Sequence, residues 1–311
     1  MPATQSRREG RPALMFEPAT RAGWRDVDWR THQRWIQLDG APVNVIELGP
    51  GGAVDTQPLV FVHGLSGSWP NWLYQLPAFA PTHRVITLDL PGFGHSPMPR
   101  EEITISGYAR LLDQLLDRLG IDAAAVVGNS MGGHIATELA IAFPQRVERL
   151  VLVSAAGLST YNHRGSNAVL PAMRHVERSL MAVTAWTAAK SDTVARRARL
   201  RDATLNVVVR HPSRLDPAVA AEQLRGAGKP GFMQAFEAVL RYDVRDRLPE
   251  IACPTLIVWG DRDRLIPVRD ADLFAELIPD SRKVVFGDTG HMAMLERPES
   301  FNALLAEFLA E

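Results

Sequence analysis

The sequence predicts an α/β fold, a mostly parallel sheet of eight strands flanked by helices and interrupted by a helical insertion. Three observations point there. Unbroken apolar runs of strand length, among them Pro58–Val62, Val147–Val153 and Thr255–Trp259, recur along the chain and run into glycine-bearing loops, as strands buried on both faces do. Segments of helical spacing, such as Thr104–Leu119 and Pro298–Ala310, lie between or after them. From about residue 159 to 249 the strand signals stop and only helical spacing is left, too much chain to fit within a sheet layer. The expected organisation is an N-terminal extension over 1–30, a core made from 31–157 and 251–311, and an inserted helical cap over 158–250.

Composition agrees with one large domain carrying an insertion, since 311 residues with 46% hydrophobic and 22% charged are enough for a substantial core. The formal net charge of −1 gives no basic field of the kind that nucleic acids or anionic membrane surfaces attract. Cys253 is the single cysteine, which excludes an internal disulfide and a thiolate metal site; beside Pro254 and ahead of an apolar strand, it reads as a small core residue. No apolar run reaches membrane-spanning length, and the polar start Met1–Arg8 lacks the apolar stretch of a secretion signal. A cytoplasmic protein acting on a small molecule is expected.

Residues 1–30 show no sustained period, and Trp24 and Trp29 near their end are placed to pin the extension to the body. Trp35–Leu38 and Val43–Leu48, around the turn Asp39-Gly40-Ala41-Pro42, read as an antiparallel edge. The buried strand Pro58–Val62 then runs into His63-Gly64-Leu65-Ser66-Gly67; a helix is expected over Trp69–Ala80 and a strand over Arg84–Asp89. The loop Asp89–Ser96 is rich in glycine but cradles no phosphate, because no Gly-Lys-Ser/Thr follows it. Asp89 and His95 are read as loop hydrogen-bonding residues and His63 as structural.

The stretch Ala124-Ala125-Val126-Val127-Gly128-Asn129-Ser130-Met131-Gly132-Gly133-His134 passes from an apolar strand through Gly-x-Ser-x-Gly straight into a helical period. Ser130 stands at the apex of the turn, with Gly128 and Gly132 removing the Cβ atoms that would collide as strand and helix close. The helix start behind it brings unpaired N–H groups and a positive dipole end to the same spot. Val147–Val153 is the next strand, and it ends without a carboxylate. In the insertion, helical segments are expected over Asn167–Ala189, Asp192–Val209, Asp216–Gly226 and Phe232–Tyr242. Met173, Leu180, Met181, Val183 and Trp186 either line a pocket there or form the insertion's own core. Two more strands follow, Thr255–Trp259 and Arg282–Phe286, with loops Gly260–Pro267 and Gly287–His291 after them, and the chain closes on an amphipathic helix over Pro298–Ala310.

From about Trp35 to the C-terminus this pattern resembles the α/β-hydrolase family, in which the turn at Ser130 is the nucleophile elbow. The resemblance implies that the backbone N–H groups of Leu65, in the His-Gly turn, and of Met131 form an oxyanion hole. It implies that Asp263, in Gly-x-x-Asp-x-x-x-Pro, is the acid of a triad, and that His291 is its histidine, in the chain order Ser130, Asp263, His291. The chemistry expected is attack by the Ser130 hydroxyl, with His291 as general base and Asp263 orienting it, through an acyl-enzyme that water releases. No metal or organic cofactor is called for.

For substrate, a small or medium carboxylic ester comes first. The elbow also resembles that of carbon–carbon hydrolases acting on ring-cleavage products, where Asn129 would contact the substrate. Those enzymes typically carry a Gly-Pro-Gly loop after the His-Gly and a Trp after the catalytic His; here stand Leu65-Ser66-Gly67 and Met292, the latter placed to line the pocket. A haloalkane dehalogenase or epoxide hydrolase would need an aspartate at 130, so Ser130 argues strongly against both. A perhydrolase using the same triad stays open, and so does a receptor that binds a small molecule on this scaffold without turning it over.

Overall fold

The computed structural model describes residues 23–50, 57–159 and 186–311. Its eight strands are β1 Gln33–Leu38, β2 Ala41–Leu48, β3 Leu59–Val62, β4 Val85–Leu88, β5 Ala124–Asn129, β6 Val147–Val153, β7 Thr255–Gly260 and β8 Ser281–Phe286. They form one sheet in the order β1-β2-β4-β3-β5-β6-β7-β8. β1 and β2 are an antiparallel hairpin and β2 lies antiparallel to β4, while every pairing from β4 to β8 is parallel. The hairpin turn is tighter than the sequence suggests: Asp39 and Gly40 alone make it, and Ala41 and Pro42 already pair with Leu38 and Gln37.

From β3 the chain steps outward to β4 and then returns to the other side of β3 for β5, so the strand order reverses at β3. At such a switch point the loops leaving the two neighbouring strands splay apart and leave a crevice at their carboxyl ends. His63-Gly64 leaves β3 there and Ser130 leaves β5.

Residues alternate between the two faces of the parallel strands, and each face has its own apolar cluster. Val60, Val62, Ala124 and Val126 enter one cluster, with α2 (Ile105–Leu119) and α3 (Met131–Ala142) packed on it. Leu59, Phe61, Ala125 and Val127 enter the other, with the C-terminal helix Pro298–Ala310 packed on it. Both ends of α2 are closed by local chemistry: the Thr104 hydroxyl accepts the Gly107 N–H, and Gly120 takes the left-handed conformation at the C-cap. Trp24 and Trp29 do fasten the start of the described chain, since the Trp29 indole donates to the Trp24 carbonyl and its ring lies 4.8 Å from that of Trp69.

Three elements differ from expectation. The helix over Trp69–Ala80 is two short pieces, a 3-10 turn Trp69–Trp72 and α1 (Leu76–Phe79), because Pro70 and Pro77 each sit at the start of a helical turn and lack the N–H needed to continue one from before. The helix over Asp192–Val209 is likewise two, α4 (Ser191–Arg196) and α5 (Ala198–Leu205), with Arg197 extended between them. There the Ala195 carbonyl accepts from the buried guanidinium of Arg201, which also donates to the carbonyls of Pro212 and Ser213, and this diversion closes the first helix. A helix that the sequence reading passed over, Arg269–Leu277, follows β7 and buries Ala271 and Phe274. Two further described helices between β6 and β7, Pro217–Arg225 with Asp216 as N-cap and Phe232–Arg241, fall where expected, while the helix expected over Asn167–Ala189 falls mostly outside the described residues. Insertion residues reach both apolar clusters, Val219, Ala220 and Leu224 joining one, Ala235 and Val239 the other.

Candidate active site

Ser130 has φ 57° and ψ −119°, a conformation that costs a non-glycine residue roughly 1–3 kcal/mol and persists only where the surroundings impose it. They do so here: its N–H donates to the Val153 carbonyl, and its own carbonyl accepts from Ala156 and His134. The two glycines of the turn are needed for space. A Cβ on Gly128 would lie 2.3 Å from the Gly132 carbonyl oxygen, and one on Gly132 would lie 2.2 Å from that of Val62. The Ser130 side chain makes no capping bond to α3, so its hydroxyl is left for other work.

Gly64 packs directly on this turn, where a Cβ would be 3.0 Å from that of Ser130. Leu65 follows, half-buried, and Met131 is the first residue of α3, where a helix has no internal partner for its N–H. His63 holds the turn from within. Its ring donates from Nδ1 to the Gly64 carbonyl at 2.8 Å and accepts the Leu90 N–H at Nε2 at 3.0 Å, while burial lowers its pKa and keeps it neutral. Asp89 is the hub of the neighbouring loop, accepting from the N–H groups of Trp69 and His95 and from the Asn44 amide. Burial alone would raise its pKa, but the hydrogen bonds from His95 and Asn44 hold it below the usual carboxylate range.

At the ends of β7 and β8 the structure brings Asp263 and His291 together: His291 Nδ1 lies 2.8 Å from Asp263 Oδ2, with side-chain exposures of 4% and 0%. Asp263 is fixed by the N–H groups of Leu265 and Ile266 on its other oxygen. Asp261 serves the backbone instead, accepting the Thr289 N–H. With Nδ1 engaged, the free nitrogen of the His291 ring is Nε2.

The other residues singled out in the sequence fare differently. Asn129 is 2% exposed, and its amide nitrogen donates to the Val153 carbonyl at 3.0 Å and to the His291 carbonyl at 3.4 Å; it ties β5 to β6 and to the histidine loop. Met292 is buried in the apolar cluster with Leu295 and Phe301, and Trp186 is 60% exposed at the surface. Met173 and Met181 lie outside the described residues. Cys253 is part-buried, and burial pushes its thiol up to about 11, which suppresses the reactive thiolate.

Sequence reasoning missed Glu296 and Arg297. Glu296 is 1% exposed and accepts the N–H groups of Gly290, at 2.9 Å, and Arg210, at 2.8 Å. Burial pushes its carboxyl up to about 8, against the pull of those donors and of Arg297. Arg297, fully buried, donates to the Thr289 hydroxyl and the Gly287 carbonyl. Both follow His291 within a few residues, but in sequence they are only charged residues ahead of the last helix. Among the described residues no helix is long and apolar enough to cross a membrane.

The chain is similar to known proteins along most of its length. The dihydrolipoyllysine-residue acetyltransferase component of the acetoin cleaving system of Cupriavidus necator is 32% identical over 292 residues, spanning 94% of this chain and 72% of that protein. The 2-hydroxymuconate semialdehyde hydrolase of Pseudomonas sp. strain CF600 is 32% identical over 293 residues, spanning 89% of this chain and 94% of that one. Among solved structures, a meta-cleavage product hydrolase from Pseudomonas fluorescens IP01 superposes with a TM-score of 0.69 at 26% identity, over 89% of this chain and 97% of that one. Residues 57–298 match the alpha/beta hydrolase fold family, and the chain belongs to it.

Proposed function

We propose that the protein is a serine hydrolase that cleaves a carboxylic ester of a small molecule through an acyl-enzyme on Ser130. The observation that carries this reading is the dry hydrogen bond between Asp263 and His291, 2.8 Å long, with the strained Ser130 turn tied to the same loop through Asn129. Ser130 Oγ attacks the substrate carbonyl while His291 Nε2 takes its proton, and the charge that develops on the imidazole is stabilised by Asp263. The N–H groups of Leu65 and Met131 receive the oxyanion, each donor lowering the barrier by roughly 3 kcal/mol. His291 returns the proton to the leaving alcohol, and water, activated by the same imidazole, releases the acid. The helices over 191–241 cover the substrate as a cap, a reading supported by their contacts to both faces of the core and to the His291 loop.

A second reading has its own support. The 32% identity to a 2-hydroxymuconate semialdehyde hydrolase favours cleavage of a carbon–carbon bond in a ring-cleavage product with the same groups. Leu65-Ser66-Gly67 and Met292, the departures from the carbon–carbon hydrolase pattern, favour the ester. Hydrolysis of p-nitrophenyl esters from acetate to decanoate, run beside a ring-cleavage product and with Ser130→Ala as control, decides between them. Ester turnover that peaks at one chain length and vanishes in the variant supports the first reading. Turnover of the ring-cleavage product alone supports the second. If neither substrate reacts and an organophosphonate leaves Ser130 unlabelled in folded protein, both readings fall.

A further inference from the structure

We propose that Glu296 is a positioning residue for His291, clamping the loop that carries the imidazole and the inserted segment Val208–Arg210 against each other. This rests on the reading of His291 as the general base. The two carboxyl oxygens of Glu296 face in different directions: Oε1 accepts the N–H of Gly290, the residue before His291, and Oε2 accepts the N–H of Arg210, from the insertion. The insertion answers with its own bond, since the His291 N–H donates to the Val208 carbonyl at 3.0 Å. The approach is close enough that a Cβ on Gly290 would lie 2.8 Å from the Arg210 nitrogen and 2.9 Å from Glu296 Oε1. On the far side of the loop the Arg297 guanidinium holds the Gly287 carbonyl and the Thr289 hydroxyl, and the His291 carbonyl is held by Asn129.

The backbone before, at and after the imidazole is thus fixed from three directions, and Glu296 is the one side chain that joins two of them. A buried carboxyl that only filled space or balanced Arg297 would not need both oxygens on backbone donors of separate segments. The consequence is precision: displacement of a catalytic group by about 1 Å can cost on the order of a hundredfold in rate. Removing one acceptor of the clamp therefore loosens His291 while leaving its bond partner Asp263 in place.

The test uses the full chain with Glu296→Gln, which keeps size but turns one acceptor into a donor, and Glu296→Asp, which keeps the carboxyl group but shortens the reach. Gly120→Ala serves as a control for general destabilisation, because Gly120 has φ +64° and nothing within 4 Å. Glu296→Gln is expected to lower kcat per phosphonate-titrated Ser130 by roughly ten- to a hundredfold with KM within about threefold, with partial rescue in Glu296→Asp. The low-field proton resonance of His291 Nδ1–H should broaden or shift in Glu296→Gln and stay in place in Gly120→Ala. Unchanged kcat per labelled serine together with an unchanged resonance would overturn the proposal. Should the variants not fold, amide exchange in the wild type decides, because Gly290 and Arg210 exchanging as open loop positions also overturns it. Failure of the serine-hydrolase reading is told apart by the wild type, which then takes no label, while the resonance still reports on the clamp.

Discussion

His291 Nδ1 and Asp263 Oδ2 meet at 2.8 Å in a place where neither side chain is open to water. The carboxylate fixes which ring nitrogen carries the proton, and so leaves Nε2 as the nitrogen with a lone pair to accept one. Asp263→Asn keeps the shape but offers an amide NH2 that favours the opposite tautomer. The expected result is a loss of kcat of about 10³- to 10⁴-fold with the melting temperature little changed. Recovery of the rate at raised pH, without change in KM, would check that the defect lies in the proton transfer.

The elbow makes a contrasting prediction about two glycines. Gly132→Ala places a methyl group 2.2 Å from the Val62 carbonyl oxygen and 2.6 Å from that of His63, both of them backbone that cannot move without opening β3. Soluble, folded protein is not expected from this variant. Gly120→Ala meets nothing and strains only the left-handed C-cap, at about 1–2 kcal/mol. It should lower the melting temperature by a few degrees and leave turnover alone; thermal unfolding and kcat measured on both variants check the pair.

The strands leading to Ser130 and Asp263 were legible because each is a largely apolar run ending in its own loop motif, whereas β8 opens on Ser281-Arg282-Lys283 and its place was read from the apolar end and the Gly287–His291 loop. The break at Trp69–Ala80 was also written in the sequence, as Pro70 and Pro77, and was passed over in favour of apolar spacing. The break at Arg197 was not written there. It depends on Arg201 reaching carbonyls that only the folded insertion brings near, and no local propensity records that. Glu296 was hidden for the same reason, since its two donors come from segments far apart in the chain, and in sequence a buried clamp and a solvated charge look alike.

Arg201 allows a direct check of that account. Its side chain is 5% exposed and its guanidinium serves the carbonyls of Ala195, Pro212 and Ser213. Arg201→Met keeps much of the apolar stem and removes every donor, leaving buried acceptors unmet. A destabilisation of about 2–4 kcal/mol is expected, and it should be local. Amide exchange should rise over α4 and α5 first, with the parallel strands protected as before.

His134 predicts a pH dependence. Its ring is fully buried on α3, 5.4 Å from that of Tyr242 and tilted 47° to it, with neither nitrogen hydrogen-bonded, and burial lowers its pKa to about 3. In the unfolded chain the same ring titrates near 6.5, so between the two values the unfolded state binds the extra proton and the folded state does not. The neutral ring therefore contributes stability that is fully present above about pH 6.5 and is lost as the pH falls toward 3, at about 1.4 kcal/mol per pH unit. His134→Leu removes the titrating group and two unmet polar atoms while keeping an apolar side chain against Tyr242. Urea unfolding at pH 7 and pH 5 should show the wild type losing about 2 kcal/mol more than the variant over that interval. At pH 7 the variant should be no less stable than the wild type by more than about 1 kcal/mol, since a buried imidazole without partners gains little from its nitrogens. Equal pH sensitivity of the two proteins would show that the ring at 134 titrates alike in the folded and unfolded states.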